Sequence, residues 1–137
     1  MTAGYSGTPL AKKLGIKDGF NVLVLNAPAN YRELLDPLPA NVTIAGTTPA
    51  ANLDFLHFFT NSRDELFRGL AEYRNLIKQD GMIWVSWYKR AAKLPTEITE
   101  DIVRDAALPL GLVDVKVCAV DEKWSGLKLV IRKENRT

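Results

Sequence analysis

The sequence predicts an α/β protein, a three-layer sandwich on a mostly parallel sheet of about six strands that ends in an antiparallel hairpin. Three observations carry this. Leu53 to Phe59 (LDFLHFF) is apolar at nearly every position, as a strand covered on both faces requires. The amphipathic stretch NSRDELFRGLAEYRNLIKQDG follows it and leads into MIWVSW, so strand, helix and strand stand in the order that builds parallel sheets. Near the end, Val113 to Ala119 and Leu127 to Ile131 flank the turn DEKWSG as a closing hairpin.

In the central unit, Ser62 precedes Glu65 at the spacing where a serine oxygen caps one amide of the first turn and the glutamate reaches back to another. The helix therefore starts near Arg63. Leu66, Phe67, Leu70, Tyr73, Leu76 and Ile77 recur at helical steps as its packed face, with Arg63, Glu65, Arg68, Glu72, Arg74 and Lys78 opposite. Asp80-Gly81 closes the helix, and Met82 to Trp87 forms the next strand.

Upstream, Thr8 caps and Pro9 opens a short helix through Leu14, ended by Gly15, with AGYSG as an arm ahead of it. Val22 to Leu25 is an apolar strand. Asn30 then caps a helix holding Tyr31, Leu34 and Leu35, which stops before Pro37 and Pro39. Val42 to Ala45 is a second short strand, separated from Leu53 by only about six residues, where a parallel crossover takes a dozen or more. That link either runs extended or the strand pairs unusually. Downstream, Thr96 caps a helix carrying Ile98, Ile102, Val103 and Ala106 inward, and Pro109 and Gly111 end it. In the hairpin, Val113, Val115, Val117 and Ala119 alternate with Asp114, Lys116 and Cys118.

The 137 residues are expected to form one domain, 1–137, with an arm and short helix over 1–20 and a frayed tail over 133–137. Eighteen basic and sixteen acidic residues leave a net charge of +2, too even to point to nucleic acid or an anionic membrane. No apolar run reaches signal-peptide or membrane-span length, so a cytoplasmic protein is expected. One cysteine and one histidine exclude an internal disulfide and argue against structural zinc.

Open sheets of this type bind ligands beyond the carboxyl ends of their strands. That edge gathers Asn26 and Ala27, Thr47 and Thr48, Thr60 and Asn61, Trp87, Lys89 and Arg90, and Asp121 with Trp124. A cleft there would take a small anionic or planar molecule, Lys89 or Arg90 supplying charge and Trp87 or Trp124 a stacking face. The competing and favoured reading makes the tryptophans core anchors and leaves the lysines solvated. His57 titrates near neutrality and would serve as a general base, but its place among phenylalanines favours a hydrogen-bonded core histidine. Cys118 reads as a packed, inert thiol rather than a nucleophile. Lys12, Lys13 and Lys17 with Lys89, Arg90 and Lys93 would make a phosphate patch, weak evidence for nucleic acid. Glu97, Glu100 and Asp101 fall at a helix start, where negative charge is favoured anyway.

The element order resembles the Rossmann-like fold of class I S-adenosylmethionine-dependent methyltransferases, without its third strand and that strand's two flanking helices. QDG before MIWVSW is similar to that fold's approach to its fifth strand, and GLVDVKVCAVDEKWSGLKLVIRK to its final hairpin. AGYSGTPLAKKLGIK together with ALPLGLVDVKVCAVDEKWSGLKLVIR resembles, more closely, a small bacterial family of unknown function, which implies no activity. The methyltransferase likeness implies S-adenosylmethionine bound at a glycine-rich turn after the first strand and by an acidic residue ending the second. Here the turn reads Asn26-Ala27-Pro28-Ala29-Asn30, and Ala45, Gly46 and Thr47 stand at the second strand's end. With both contacts missing, the expectation is a binding or interaction module without a cofactor. The alternatives are a methyltransferase, or another small-molecule transferase, with an atypical cofactor loop. A third is a scaffold that pairs with itself or a larger protein through the hairpin edge or the exposed second strand.

Overall fold

A computed structural model describes residues 8–45 and 51–136. Its six-stranded mixed sheet has the order β2-β1-β3-β4-β6-β5. The strands are β1 (Asn21–Leu25), β2 (Thr43–Ala45), β3 (Leu53–Phe59), β4 (Ile77–Tyr88), β5 (Leu112–Ala119) and β6 (Trp124–Ile131). β2, β1, β3 and β4 run parallel, and β6 lies antiparallel between β4 and β5. The second strand, whose pairing the short link left open, takes the edge beside β1, with Val22 opposite Ile44. Residues 46–50 of that link, like the AGYSG arm, lie outside the described residues.

Helices cover both faces. α1 (Leu10–Leu14) and α2 (Tyr31–Leu35) bury Ala11, Leu14, Tyr31 and Leu35 on one side, against Val22, Val24, Phe55, Phe59, Met82 and Trp84. α3 (Arg63–Tyr73) and α4 (Glu100–Ala107) bury Leu66, Leu70, Val103 and Ala107 on the other, against Leu23, Leu56, Phe58, Ile83 and Val85. From Phe55 onward β3 divides its side chains by strand alternation, Phe55 and Phe59 to one cluster and Leu56 and Phe58 to the other.

Several boundaries differ from the sequence reading. Pro9 precedes α1 rather than opening it, with ψ at 143°, while Gly15 ends the helix at φ 91°. Asn30 stands before α2 without a side-chain cap. Ser62 Oγ accepts from Glu65 N–H at 3.2 Å as expected. The glutamate, however, does not reach the Ser62 amide: that N–H donates to Thr60 Oγ1, and the Thr60 hydroxyl donates to Glu65 Oε1 at 2.5 Å. The helix does not continue to Asp80-Gly81. It tightens into a 3-10 turn over Arg74–Leu76, where Arg74 Nε donates to the Leu110 carbonyl at 2.7 Å, and Ile77 already pairs with Leu53 in the sheet. The next β3–β4 pair is Phe55 with Met82, so Lys78 to Gly81 bulge from the ladder, and Lys78 Nζ pairs with Asp54 at 2.9 Å.

The cap of α4 is Thr99, whose Oγ1 accepts from Ile102 N–H, and not Thr96, which only closes a local turn onto Ile98 N–H. Glu97 is drawn out of the helix because its carboxylate accepts from Arg63 N–H at the start of α3. In β5 the regular alternation breaks: Asp114 faces Leu129 but Lys116 faces Lys128, so Val115 is an extra residue. Val115 and Val117 are about half exposed, while Leu112 and Cys118 are buried. In the tail, expected to fray, Lys133–Asn135 make a turn and Arg136 Nε donates to the Ile131 carbonyl.

Candidate functional site

The sheet reverses its order between β1 and β3, and the carboxyl ends of these strands are where an open sheet forms its ligand crevice. β1 leaves the sheet through Asn26, which adopts φ 60°, a backbone geometry that glycine takes easily and asparagine tolerates. Its side-chain amide crosses the reversal point and donates to the Phe59 carbonyl at 3.2 Å. The crevice is thereby laced by the chain itself. Beside it, between the ends of β1 and β2, lies a cavity of about 270 Å³ lined by Val24, Ala27, Ala29, Tyr31, Arg32, Ile44 and Ala45. Arg32 is its one charged lining residue among those described.

Farther along the edge, the polar groups serve the backbone. Asn61 Oδ1 accepts from Tyr88 N–H at 2.8 Å, and Asp121 Oδ1 accepts from both Lys123 and Trp124 N–H to form the hairpin turn. Lys89 N–H donates to the Lys123 carbonyl. Thr60 is buried and committed to Ser62 and Glu65.

The two tryptophans do not share a cleft. Trp124 is 8% exposed on the α1 and α2 face, edge-on to Phe59 at 4.9 Å and tilted against Tyr88 at 4.5 Å. Trp87 is 6% exposed in the cluster beneath α3 and α4. Asn26, Ala27, Thr60, Lys89, Asp121 and Trp124 thus fall at the strand ends, Trp87 lies in the core below them, and Arg90 is exposed in the turn that follows β4. Thr47 and Thr48 lie outside the described residues. The lysines grouped as a patch are also apart. Lys12 and Lys17 line an open depression of about 610 Å³ with Pro9, Pro37 and Pro39, toward the amino ends of β1 and β2, whereas Lys89 and Arg90 follow the carboxyl end of β4.

His57 is fully buried on β3, stacked on Phe59 at 4.2 Å. Its Nδ1 lies 2.8 Å from the Tyr31 hydroxyl and its Nε2 2.8 Å from Ser86 Oγ. The buried Tyr31 O–H donates to Nδ1, which leaves the ring proton on Nε2 to donate to Ser86. Burial pushes the imidazole down to about 3 and the Tyr31 phenol far above its ordinary value, so this chain is neutral at physiological pH. It is a polar tie across the core and not a base open to substrate. The sequence signal for it was a lone serine in an otherwise apolar strand, MIWVSW, beside a strand with a lone histidine. Cys118 is buried, as expected of a packed thiol. Among the described residues no group of His, Cys, Asp and Glu is placed to hold a metal, and no helix is long and apolar enough to cross a membrane.

The fold has many solved counterparts. A SAM-dependent methyltransferase from Aquifex aeolicus superposes with a TM-score of 0.65 at 16% identity, covering 90% of this chain and 88% of that one. A putative methyltransferase in complex with the Haloferax volcanii Trm112 methyltransferase activator gives 0.61 at 11% identity, covering 88% and 86%. Aeropyrum pernix fibrillarin, with natively bound S-adenosyl-L-methionine, gives 0.57 at 14% identity, covering 88% and 73%. At these identities the likeness is one of fold, and it agrees with the methyltransferase-like architecture expected from the element order. No curated protein matches the sequence significantly. Residues 51–133, which hold β3 to β6 with α3 and α4, match the model of DUF3052, a protein family of unknown function, and the chain belongs to that family.

Proposed function

We propose that the protein is a binding or interaction module that keeps a methyltransferase-like sheet without using it to hold a cofactor. The observation that carries this reading is the Asn26 amide bonded to the Phe59 carbonyl across the point where strand order reverses. A cofactor in that crevice would have to break this bond and displace the side chain. Three further features support the reading. The neighbouring cavity of about 270 Å³ falls below the range of roughly 300–1,000 Å³ usual for small-molecule sites. Its described lining offers no carboxylate for ribose hydroxyls. The single histidine is buried and neutral. A protein partner is in keeping with the Haloferax counterpart, which was solved with an activator protein.

Thermal unfolding of the full chain with and without a large excess of S-adenosylmethionine tests the proposal. A ligand at a hundred times its dissociation constant adds about 2.7 kcal/mol, a shift of several degrees. The expected outcome is an unchanged midpoint. A rise that saturates with concentration would overturn the proposal and assign the chain to cofactor-dependent transferases with an atypical loop.

A further inference from the structure

The face of the sheet beneath α1 carries a local excess of positive charge that the near-neutral composition conceals. Because Val115 is an extra residue, Lys116 stands directly opposite Lys128 in the β5–β6 register. Lys128 in turn pairs with Trp84, whose side chain belongs to the α1 and α2 cluster, so both lysines project to that face. Like charges directly opposite each other in neighbouring strands are destabilising. Lys128 Nζ lies 3.7 Å from the point where a side chain on Gly15 would begin, at the carboxyl end of α1. Lys116 Nζ donates to the Lys13 carbonyl at 3.0 Å. Lys17, from the loop after α1, is the second charge acting on Lys128, after Lys116.

The Lys13 carbonyl takes one N–H of Lys116 and leaves its positive charge unneutralised. Among the described residues no carboxylate pairs with Lys17, Lys116 or Lys128. We propose that Lys17, Lys116 and Lys128 form a binding site for a phosphate dianion, free or carried on a small monoester, beside the carboxyl end of α1. Lys116 and Lys128 stand side by side on paired strands beside the end of α1, Lys17 adds a like charge from the loop that follows, and a dianion converts their mutual repulsion into shared attraction. Partial burial of Lys128 strengthens that attraction, since the charge is less screened than on an open surface. Burial first, and then Lys116 and Lys17, lower the Lys128 pKa, and a bound anion opposes all three effects.

The test follows the melting midpoint of the full chain during titration with sodium phosphate, and separately with glycerol 3-phosphate, at constant pH. Sodium chloride holds the ionic strength fixed throughout. The expected result is a saturable rise with at least one dianion, lost in Lys116→Gln, weakened at least several-fold in Lys17→Gln, and retained in Lys133→Gln. A rise with both dianions assigns the phosphate group itself as the ligand, and a rise with glycerol 3-phosphate alone assigns an ester. No rise at fixed ionic strength, or one undiminished in Lys116→Gln and Lys17→Gln, would overturn the site. Both substituted lysines are exposed, so these variants do not depend on repacking the core.

Discussion

His57 shows how one buried polar residue ties a core and tunes its response to acid. Its ring is held by Tyr31 and Ser86, respectively 26 and 29 residues away in sequence. The folded protein keeps it neutral with its pKa at about 3, whereas an unfolded chain protonates it near pH 6.5. Between these values the unfolded state binds the extra proton. Stability from this residue is therefore complete above about pH 6.5 and is lost as pH falls toward 3, at a slope approaching 1.4 kcal/mol per pH unit, roughly. Urea denaturation at pH 7.5 and pH 5 is expected to differ by up to about 2 kcal/mol from this source, and His57→Gln to remove most of the difference. Equal acid sensitivity in the variant and the native protein would refute the assignment. That His57 is a core residue was legible from its phenylalanine neighbours. Its partners were not, because nothing in the sequence pairs a strand serine with a helix tyrosine so far away.

The elements were read more securely in their cores than at their ends. Ile77 illustrates why: it falls on the apolar stripe of α3 by spacing, yet the same residue satisfies the first ladder position of β4 opposite Leu53. Periodicity cannot separate these uses, and the Arg74 bond to the Leu110 carbonyl decides between them through a contact 36 residues away. Thr96 and Thr99 pose the same problem, resolved by the bond from Arg63 N–H to Glu97. In β5 the alternating valines were read as one face, but a single extra residue at Val115 reverses the phase halfway along. The bulge in β4 supplies a prediction. A β-carbon on Gly81 would meet the Leu53 carbonyl oxygen at 2.8 Å and Ile77 Cβ at 3.1 Å. Gly81→Ala is expected to cost about 1–3 kcal/mol in equilibrium denaturation, because the obstacle is backbone and strand neighbour rather than a flexible tip. A loss within a few tenths of a kcal/mol would mean that the bulge can relax.

Over the whole molecule, the sheet separates two apolar clusters, and long-range ties hold the smaller helices to it. α1 is only one turn and a half long, too short to persist alone. It is anchored where Trp84 Nε1–H donates to the Leu14 carbonyl at 2.8 Å, a bond that joins residues 70 apart in sequence. Trp84→Phe leaves that buried carbonyl without its donor, at an expected cost of about 1–3 kcal/mol. Amide exchange should then quicken over residues 10–16 while α3 and α4 keep their protection, and uniform loss across both faces would count against a local anchor. The parallel core and the closing hairpin were legible in sequence because each rests on contiguous pattern. The edge position of β2 was not, since three short residues carry too little pattern to fix a neighbour. The sequence order pointed to the strand edge where a cleft is expected, but the hydrogen bonds that its polar residues make to the backbone show only once the chain is folded.

Asn26 also bears on how easily such a sheet changes occupation. Its left-handed backbone is the conformation that a glycine turn provides, so the chain curves at this corner as a glycine would let it while the side chain reaches across to Phe59. Backbone path and side-chain filling are thus set separately at a single position. A search for sequences in which this scaffold opens the crevice would begin by clearing that one amide, leaving the path of the backbone as it stands.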